Sequence, residues 1–166
     1  MERIEPNKLT ENFFENISNE WMLITAGDKE KFNTMTASWG GIGFLWNKPV
    51  AFIFVRPERY TFEFLEKGDY FTVSFLGMEN KDIHKICGKK SGRDIDKVKE
   101  TGLVPHFTEM GNVCFEQSRI TLECKKLYTD QIKKEGFADP EYVDRWYNTH
   151  GNFHQMYVAE IVNAWV

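Results

Sequence analysis

Apolar residues fall along this chain in short runs broken by polar turns, with few long amphipathic stretches. Leu9, Phe13 and Ile17 recur at helical spacing and predict a short helix over Leu9–Asn16. Trp21–Thr25 predicts a compact strand, closed by Ala26-Gly27-Asp28. Phe32–Trp39 predicts a second strand, and Gly40, Gly41 and Gly43 predict a bulge or tight bend after it. Pro49–Arg56 holds the unbroken apolar run Val50–Val55, the pattern of a strand buried on both faces. Pro57-Glu58-Arg59 turns the chain. Thr61 suits the N-cap of a helix Phe62–Lys67, which Gly68 can end. Tyr70–Leu76, rich in β-branched and aromatic residues, predicts a further strand.

The middle of the chain changes character. Lys81–Cys87 predicts a helix, and Lys89–Lys97 a polar loop entering a second short helix that Thr101-Gly102 stops. Strands return at Asn112–Phe115 and Arg119–Tyr128. Phe137–Trp146 has helix-like apolar spacing and could cover a pocket or a partner subunit. Gln155–Val166 predicts a last strand. Strands dominate and helices enter singly, unlike the regular alternation of a parallel βαβ protein. A closed or nearly closed antiparallel barrel hides the sheet edges and is the best physical solution.

The 166 residues, without repeats or a Gly/Ser-rich linker, predict one domain over 1–166. Aromatic residues make up 15%, enough to fill a core and also line an interface or a pocket for a planar ligand. A formal net charge of -4 argues against a domain built to grip a nucleic-acid backbone. Cys87, Cys114 and Cys124 form a poor disulfide framework. The first residues carry no signal-peptide core, and no apolar run reaches bilayer length. The expectation is a soluble, cytoplasmic protein with no membrane or nucleic-acid partner.

Asn33–Gly41 is polar where its neighbours are apolar. Asn33, Thr34, Thr36 and Ser38 supply amide and hydroxyl groups, Trp39 a flat face, and the glycines a close approach to backbone N–H groups. This suits a ligand with a planar part and a polar tail, although a Thr/Ser-rich strand with one face in water is the plainer explanation and no cofactor follows from this segment alone. Arg56 and Arg59 flank a rigid turn before Tyr60 and Thr61. Guanidinium groups and a helix start suit a phosphate monoester, although pairing with Glu58, Glu63 or Glu66 is the plainer alternative. Lys89-Lys90-Ser91-Gly92-Arg93-Asp94 is a second candidate anion loop, or simply a solvated one. It lacks the P-loop pattern.

His84 and Cys87 share a helical face, but too few further ligands accompany them for a metal site. His150 and His154, near Asn148 and Asn152, suggest a polar rim beside the last strand. No Gly-x-Ser-x-Gly nucleophile elbow is present.

Several segments in order resemble the flavin reductase-like family with an FMN-binding split barrel, especially its flavoredoxin-like branch. They are Asn33–Trp39, Trp46–Pro49, Val55–Thr61, Phe71–Phe75, Cys87–Asp94 and His154–Ile161. The resemblance runs from about Trp21 to Val166. It implies a mainly β fold, a six-stranded antiparallel split barrel with added helices, usually a homodimer with FMN near the interface. With Asn33 in the same segment, Thr34, Met35, Thr36, Ala37, Ser38 and Trp39 would approach the ribityl chain and ring edge. Arg56, Arg59, Tyr60 and Thr61 would surround the phosphate or its approach. Lys90, Ser91 and Arg93 would complete that end, from either subunit. Relatives that reduce free flavins often carry Thr-Ala-Ser-Ser where this chain has Thr36-Ala-Ser-Trp39, a departure that favours a more firmly held FMN.

The expected function is an FMN-dependent oxidoreductase of the NAD(P)H:flavin reductase class. The ring carries the electron chemistry, backbone N–H groups beside Thr36–Trp39 stabilise charge on it, and no catalytic side chain is required. NADH or NADPH would bind transiently, since no Gly-x-Gly-x-x-Gly element exists. The alternatives are a flavoredoxin-like electron carrier serving a redox protein partner, and a non-enzymatic interaction domain on the same barrel.

Overall fold

The structure, a computed structural model, describes residues 1–147 and 152–166. A two-residue strand β1 (Arg3–Ile4) precedes the short helix α1 (Phe13–Glu15), which runs on into a π-helical turn, Asn16–Glu20. Strands β2 (Met22–Gly27), β3 (Phe32–Ala37), β4 (Gly40–Leu45) and β5 (Lys48–Val55) follow as successive hairpins. Trp46 and Asn47, with φ of 50° and 60°, form the two-residue turn between β4 and β5. Positive φ at both central positions matches the twist that such a hairpin needs. Helix α2 (Tyr60–Lys67) ends at Gly68 and leads to β6 (Tyr70–Phe75). Helices α3 (Lys81–Lys89) and α4 (Lys97–Thr101) precede a small hairpin, β7 (Pro105–Phe107) and β8 (Val113–Phe115). The long strands β9 (Ile120–Gln131) and β10 (Gln155–Trp165) bracket helix α5 (Glu141–Trp146).

The main sheet is antiparallel in every described pairing, in the order β3-β2-β6-β9-β10-β5-β4, with β1 added beside β10. Its inner face closes on Met22, Ile24, Ile53, Phe71, Phe75 and Tyr157. Burying each such side chain contributes about 1.5–3 kcal/mol. A second cluster, Leu23, Leu76, Cys87, Leu103 and Phe115, lies where α3 and β8 pack on the sheet. Arg119 ties the N-terminal segment to this body. Its Nε donates to both carboxylate oxygens of the buried Glu20 at 3.0 and 3.1 Å, and its Nη1 to Glu11 at 3.0 Å.

Several expectations need correction. The first helix begins at Phe13 rather than Leu9, because the Asn12 side chain caps the N–H of Glu15. The glycines after Trp39 form strand β4 instead of a bulge. They lie flat on Phe52, and a Cβ at Gly40 would sit 2.6 Å from the Phe52 carbonyl oxygen. Strand β5 is not buried on both faces throughout. Phe52 and Phe54 stay half-buried while Val50, Ile53 and Val55 are enclosed. Thr61 is not the N-cap of α2; the helix starts at Tyr60, and Asn33 of β3 claims the Thr61 hydroxyl. The Phe137–Trp146 helix begins only at Glu141, where Pro140 sets the entry φ. Among the described residues the main sheet has eight strands, where the resemblance implies a six-stranded barrel. The Ser38-Trp39 step divides one segment into β3 and β4, and β1 adds a short edge.

Candidate functional site

Strand β3 passes between the N-terminus of α2 and the C-terminal half of α3. Its side chains line two shallow cavities that share Met35 and Arg59 and so form one groove. The smaller, about 90 Å³, is lined by Asn33, Tyr60, Thr61, Lys89, Lys90, Ser91 and Gly92. The larger, about 230 Å³, is lined by Thr36, Ala37, Ser38, Trp39, Phe54, Arg56 and His154.

The small cavity is the cationic end. Asn33 is buried and donates through Nδ2 to Thr61 Oγ1 at 2.7 Å, which locks β3 to α2. Gly92 packs directly on this amide: a Cβ there would fall 1.9 Å from Asn33 Oδ1 and 3.2 Å from Tyr60 Cδ1. Only glycine lets the Lys89–Arg93 loop lie so close. Arg59 donates to the Gly88 carbonyl at 2.8 Å, tying the α2 turn to the end of α3. Burial lowers its pKa from the ordinary arginine value, partly opposed by the Glu58 charge. Lys89 and Lys90 extend from the same loop, both exposed, with Lys90 lightly paired to Glu100 at 3.3 Å. At the start of α2 the Phe62 N–H is already bonded to the Arg59 carbonyl at 2.9 Å, while the N–H groups of Tyr60 and Thr61 precede the first helical bond.

Beneath this end lies Lys97, 5% exposed, whose ammonium donates to the Thr34 carbonyl at 2.7 Å and the Cys87 carbonyl at 2.8 Å. Burial brings its pKa down to about 8, with the Cys87 sulfur acting in the opposite direction. This one side chain fixes β3, α3 and α4 together. Thr36 adds a second tie to α3 by donating to the His84 carbonyl at 2.6 Å.

The other end is aromatic. Trp39 meets Trp146 edge-to-face at 5.0 Å and His154 at 5.4 Å. Tyr147 Oη and His154 Nδ1 are 2.8 Å apart. Burial, reinforced by the Arg56 charge, depresses the His154 pKa to about 4, so the imidazole is neutral at pH 7. Beyond Trp39 the surface continues into an open hollow of about 700 Å³, where Phe13, Phe14, Ile17 and Ile42 face Ser38 and Trp39.

The structure therefore brings most of the expected site residues together, with three differences in placement. Arg56 lies at the aromatic end, away from Lys89–Gly92; its two Nη atoms donate to the Trp146 and Asn152 carbonyls. Arg93 does not line the groove. It stacks over Tyr60 at 4.8 Å, pairs with Glu63 and donates to the Glu58 carbonyl, closing the loop onto α2. Thr34 turns its hydroxyl to Thr25 Oγ1 at 2.9 Å, between β2 and β3. Tyr60, Thr61, Lys90 and Ser91 share the cationic cavity, and Met35–Trp39 follow the groove. His150, Asn148 and Gly151 lie outside the described residues. Among those described, no three His, Cys, Asp or Glu residues gather as metal ligands, and no helix is long and apolar enough to cross a membrane.

Phe54 and Lys97 were not singled out by sequence, and Trp146 was read only as part of a segment that could cover a pocket or a partner subunit. Phe54 sits within an apolar run and Lys97 within a charged one, so neither pattern distinguishes a site residue from its neighbours. Chemically, the groove pairs an anion-attracting end with flat apolar faces, joined by polar backbone along β3. It suits an elongated ligand with a phosphate-sized anion on one side and a planar ring system on the other.

Known proteins share this architecture. An FMN-binding protein from Thermus thermophilus, solved with 1-cyclohex-2-enone, superposes with a TM-score of 0.68 at 21% identity, over 99% of this chain and 80% of that one. Flavoredoxin from Methanosarcina acetivorans gives 0.67 at 21%, over 99% and 75%. An NADH:FAD oxidoreductase from Streptomyces globisporus gives 0.65 at 16%, over 89% and 75%. Curated protein sequences give no match. The sequence model of the flavin reductase like domain matches residues 14–166, nearly the whole chain, and on that match the protein belongs to the flavin reductase-like family.

Proposed function

We propose that residues 1–166 act as one FMN-binding domain and that the protein is an oxidoreductase using NADH or NADPH to reduce its flavin. The observation that carries this reading is the two-ended groove, with Lys89, Lys90 and Ser91 on one side and Trp39 and Phe54 on the other. The donor set fits the cofactor: cations, a hydroxyl and helix-start amides for a phosphate, and flat faces for a ring. The Gly92 cradle holds the loop where a phosphate would meet it.

When bound, FMN supplies the hydride and electron chemistry. The chain's own task is to bind and orient. Arg59, Lys89 and Lys90 would balance the phosphate charge and the Ser91 hydroxyl would donate to it, and Asn33 with Thr61 keeps the α2 start in register with β3. Met35–Trp39 and Phe54 form the bed for the ring, and neutral His154 closes it without adding positive charge. No side chain is assigned as acid, base or nucleophile.

The hollow beside Trp39 supports a homodimer. Phe14 there is 92% exposed and apolar, and a second copy covering it would also close the open side of the groove. The half-exposed Trp39 and Trp146 equally favour a second reading, a flavoredoxin-like carrier that passes electrons to a protein partner. Anaerobic mixing of the FMN-loaded protein with NADH or NADPH separates them. Bleaching of the flavin absorbance supports the reductase; no bleaching with either nicotinamide eliminates it and leaves the carrier.

A further inference from the structure

Arg56 follows directly on strand β5, yet its guanidinium is spent on main-chain carbonyls. Nη2 donates to the Trp146 carbonyl at 2.8 Å and Nη1 to the Asn152 carbonyl at 2.9 Å. The same group lies over the Tyr147 ring at 5.2 Å. A planar guanidinium presents its donors in a fixed fork and so sets the direction of both carbonyls, where an ammonium on a flexible stem would hold them less rigidly. One of those carbonyls belongs to the last residue of α5, where helical carbonyls lack internal partners.

This clasp has a consequence at the groove. Trp146 is brought against Trp39 with ring planes at 84°, a favourable edge-to-face contact. Trp39 also meets His154, which Tyr147 holds through its hydroxyl. Both tryptophans nevertheless remain about two-fifths exposed, 42% and 41%. Trp39 lines the end of the groove and Trp146 stands edge-on behind it, so that Trp146 braces the indole face that a flat ring would meet.

We infer that Arg56 is a positioning residue that pins Trp146 against Trp39, and that the resulting aromatic wall retains the flavin ring in the groove. The inference rests on the FMN reading above and deepens it: the protein keeps its flavin resident instead of exchanging it freely. Arg56 acts through Trp146 and is assigned no contact with the phosphate. Because the wall acts by contact with the bound ring, its removal changes the release rate more than the association rate.

The test uses the full chain loaded with FMN. Release is followed by flavin fluorescence after rapid dilution, and association by stopped-flow mixing of the apoprotein with FMN. Arg56→Met and Trp146→Ala should each speed release about tenfold, with association changed less than twofold. The double variant should release no faster than either single one, and Arg56→Lys should recover part of the loss. Apoprotein melting curves report folding separately. Release at the native rate from a folded Arg56→Met or Trp146→Ala overturns the inference, as does a double variant whose effects multiply. If Arg56→Met does not fold, Trp146→Ala decides alone. A Trp146→Ala protein that loses its dimer yet releases FMN normally would assign the wall to subunit contact and overturn retention. A native protein that binds no FMN defeats the groove reading itself, a result distinct from all of these.

Discussion

Replacing Gly92 by alanine adds one carbon to the tightest contact of the groove. That Cβ would lie 1.9 Å from Asn33 Oδ1, far inside van der Waals contact. Asn33 cannot swing aside freely, because it is buried and its Nδ2 is bonded to Thr61 at 2.7 Å and to the Thr34 carbonyl at 3.3 Å. Yielding the Thr61 bond costs about 1 kcal/mol, and forcing the extra carbon into a packed site about 1–3 kcal/mol. The alternative is outward movement of the Lys89–Arg93 loop, which withdraws Lys89, Lys90 and Ser91 from the proposed phosphate position. Charge-assisted hydrogen bonds lost there are worth roughly 1.5–3 kcal/mol each. Either response weakens FMN binding, by about 10- to 100-fold for a penalty near 1.4–2.8 kcal/mol. Fluorescence titration of apoprotein with FMN measures it. Combining Gly92→Ala with Asn33→Ala removes the obstructing oxygen, so the double variant should bind no worse than Asn33→Ala alone. A Gly92→Ala protein that binds FMN within twofold of the native affinity would refute the argument that this loop must lie against Asn33.

Other outcomes follow from the same structure. Arg119→Met strands the buried Glu20 carboxylate and should cost about 2–3 kcal/mol by denaturant unfolding, less than a fully enclosed pair because Arg119 is 37% exposed; an unchanged midpoint would contradict it. His84 is fully enclosed, and burial, with Lys81 nearby, depresses its pKa from 6.5 to about 4. The unfolded chain therefore takes up a proton that the folded chain refuses, so stability is highest above pH 6.5 and falls toward pH 4, by roughly 3 kcal/mol for this residue. His84→Gln should flatten that part of the melting-temperature profile. Burial raises the Cys87 and Cys114 thiols to about 11 and Cys124 still further, so none should react with a thiol reagent at pH 8 until the protein is unfolded.

The sheet was largely legible because its signals are local. The run Val50–Val55 and the alternating residues of β9 and β10 appear as strands close to their expected bounds. The groove was legible as a set of segments but not as an assignment of roles. Arg56 and Arg59 look equivalent in sequence, yet β5 ends between the aromatic residues and the turn, sending one guanidinium to Trp146 and the other to Gly88. Arg93 sits in a basic loop and was read with it, but the acidic Glu63 and the Tyr60 face draw it onto α2. Lys97 gave no signal: a lysine among charged neighbours reads as solvated, and only the packing of α4 encloses it. Strand β7 was missed because three residues carry no periodicity, and its pairing with β8 is what defines it.

On the proposed function, the groove has a phosphate end and a ring end. Calorimetric titration of the apoprotein with FMN and, in parallel, with riboflavin tests it most directly, since the two differ only by the phosphate. One FMN should bind per chain, with riboflavin weaker by about 10²-fold, the worth of one or two charge-assisted contacts. Equal affinity for the two, or no binding of FMN, would contradict the account.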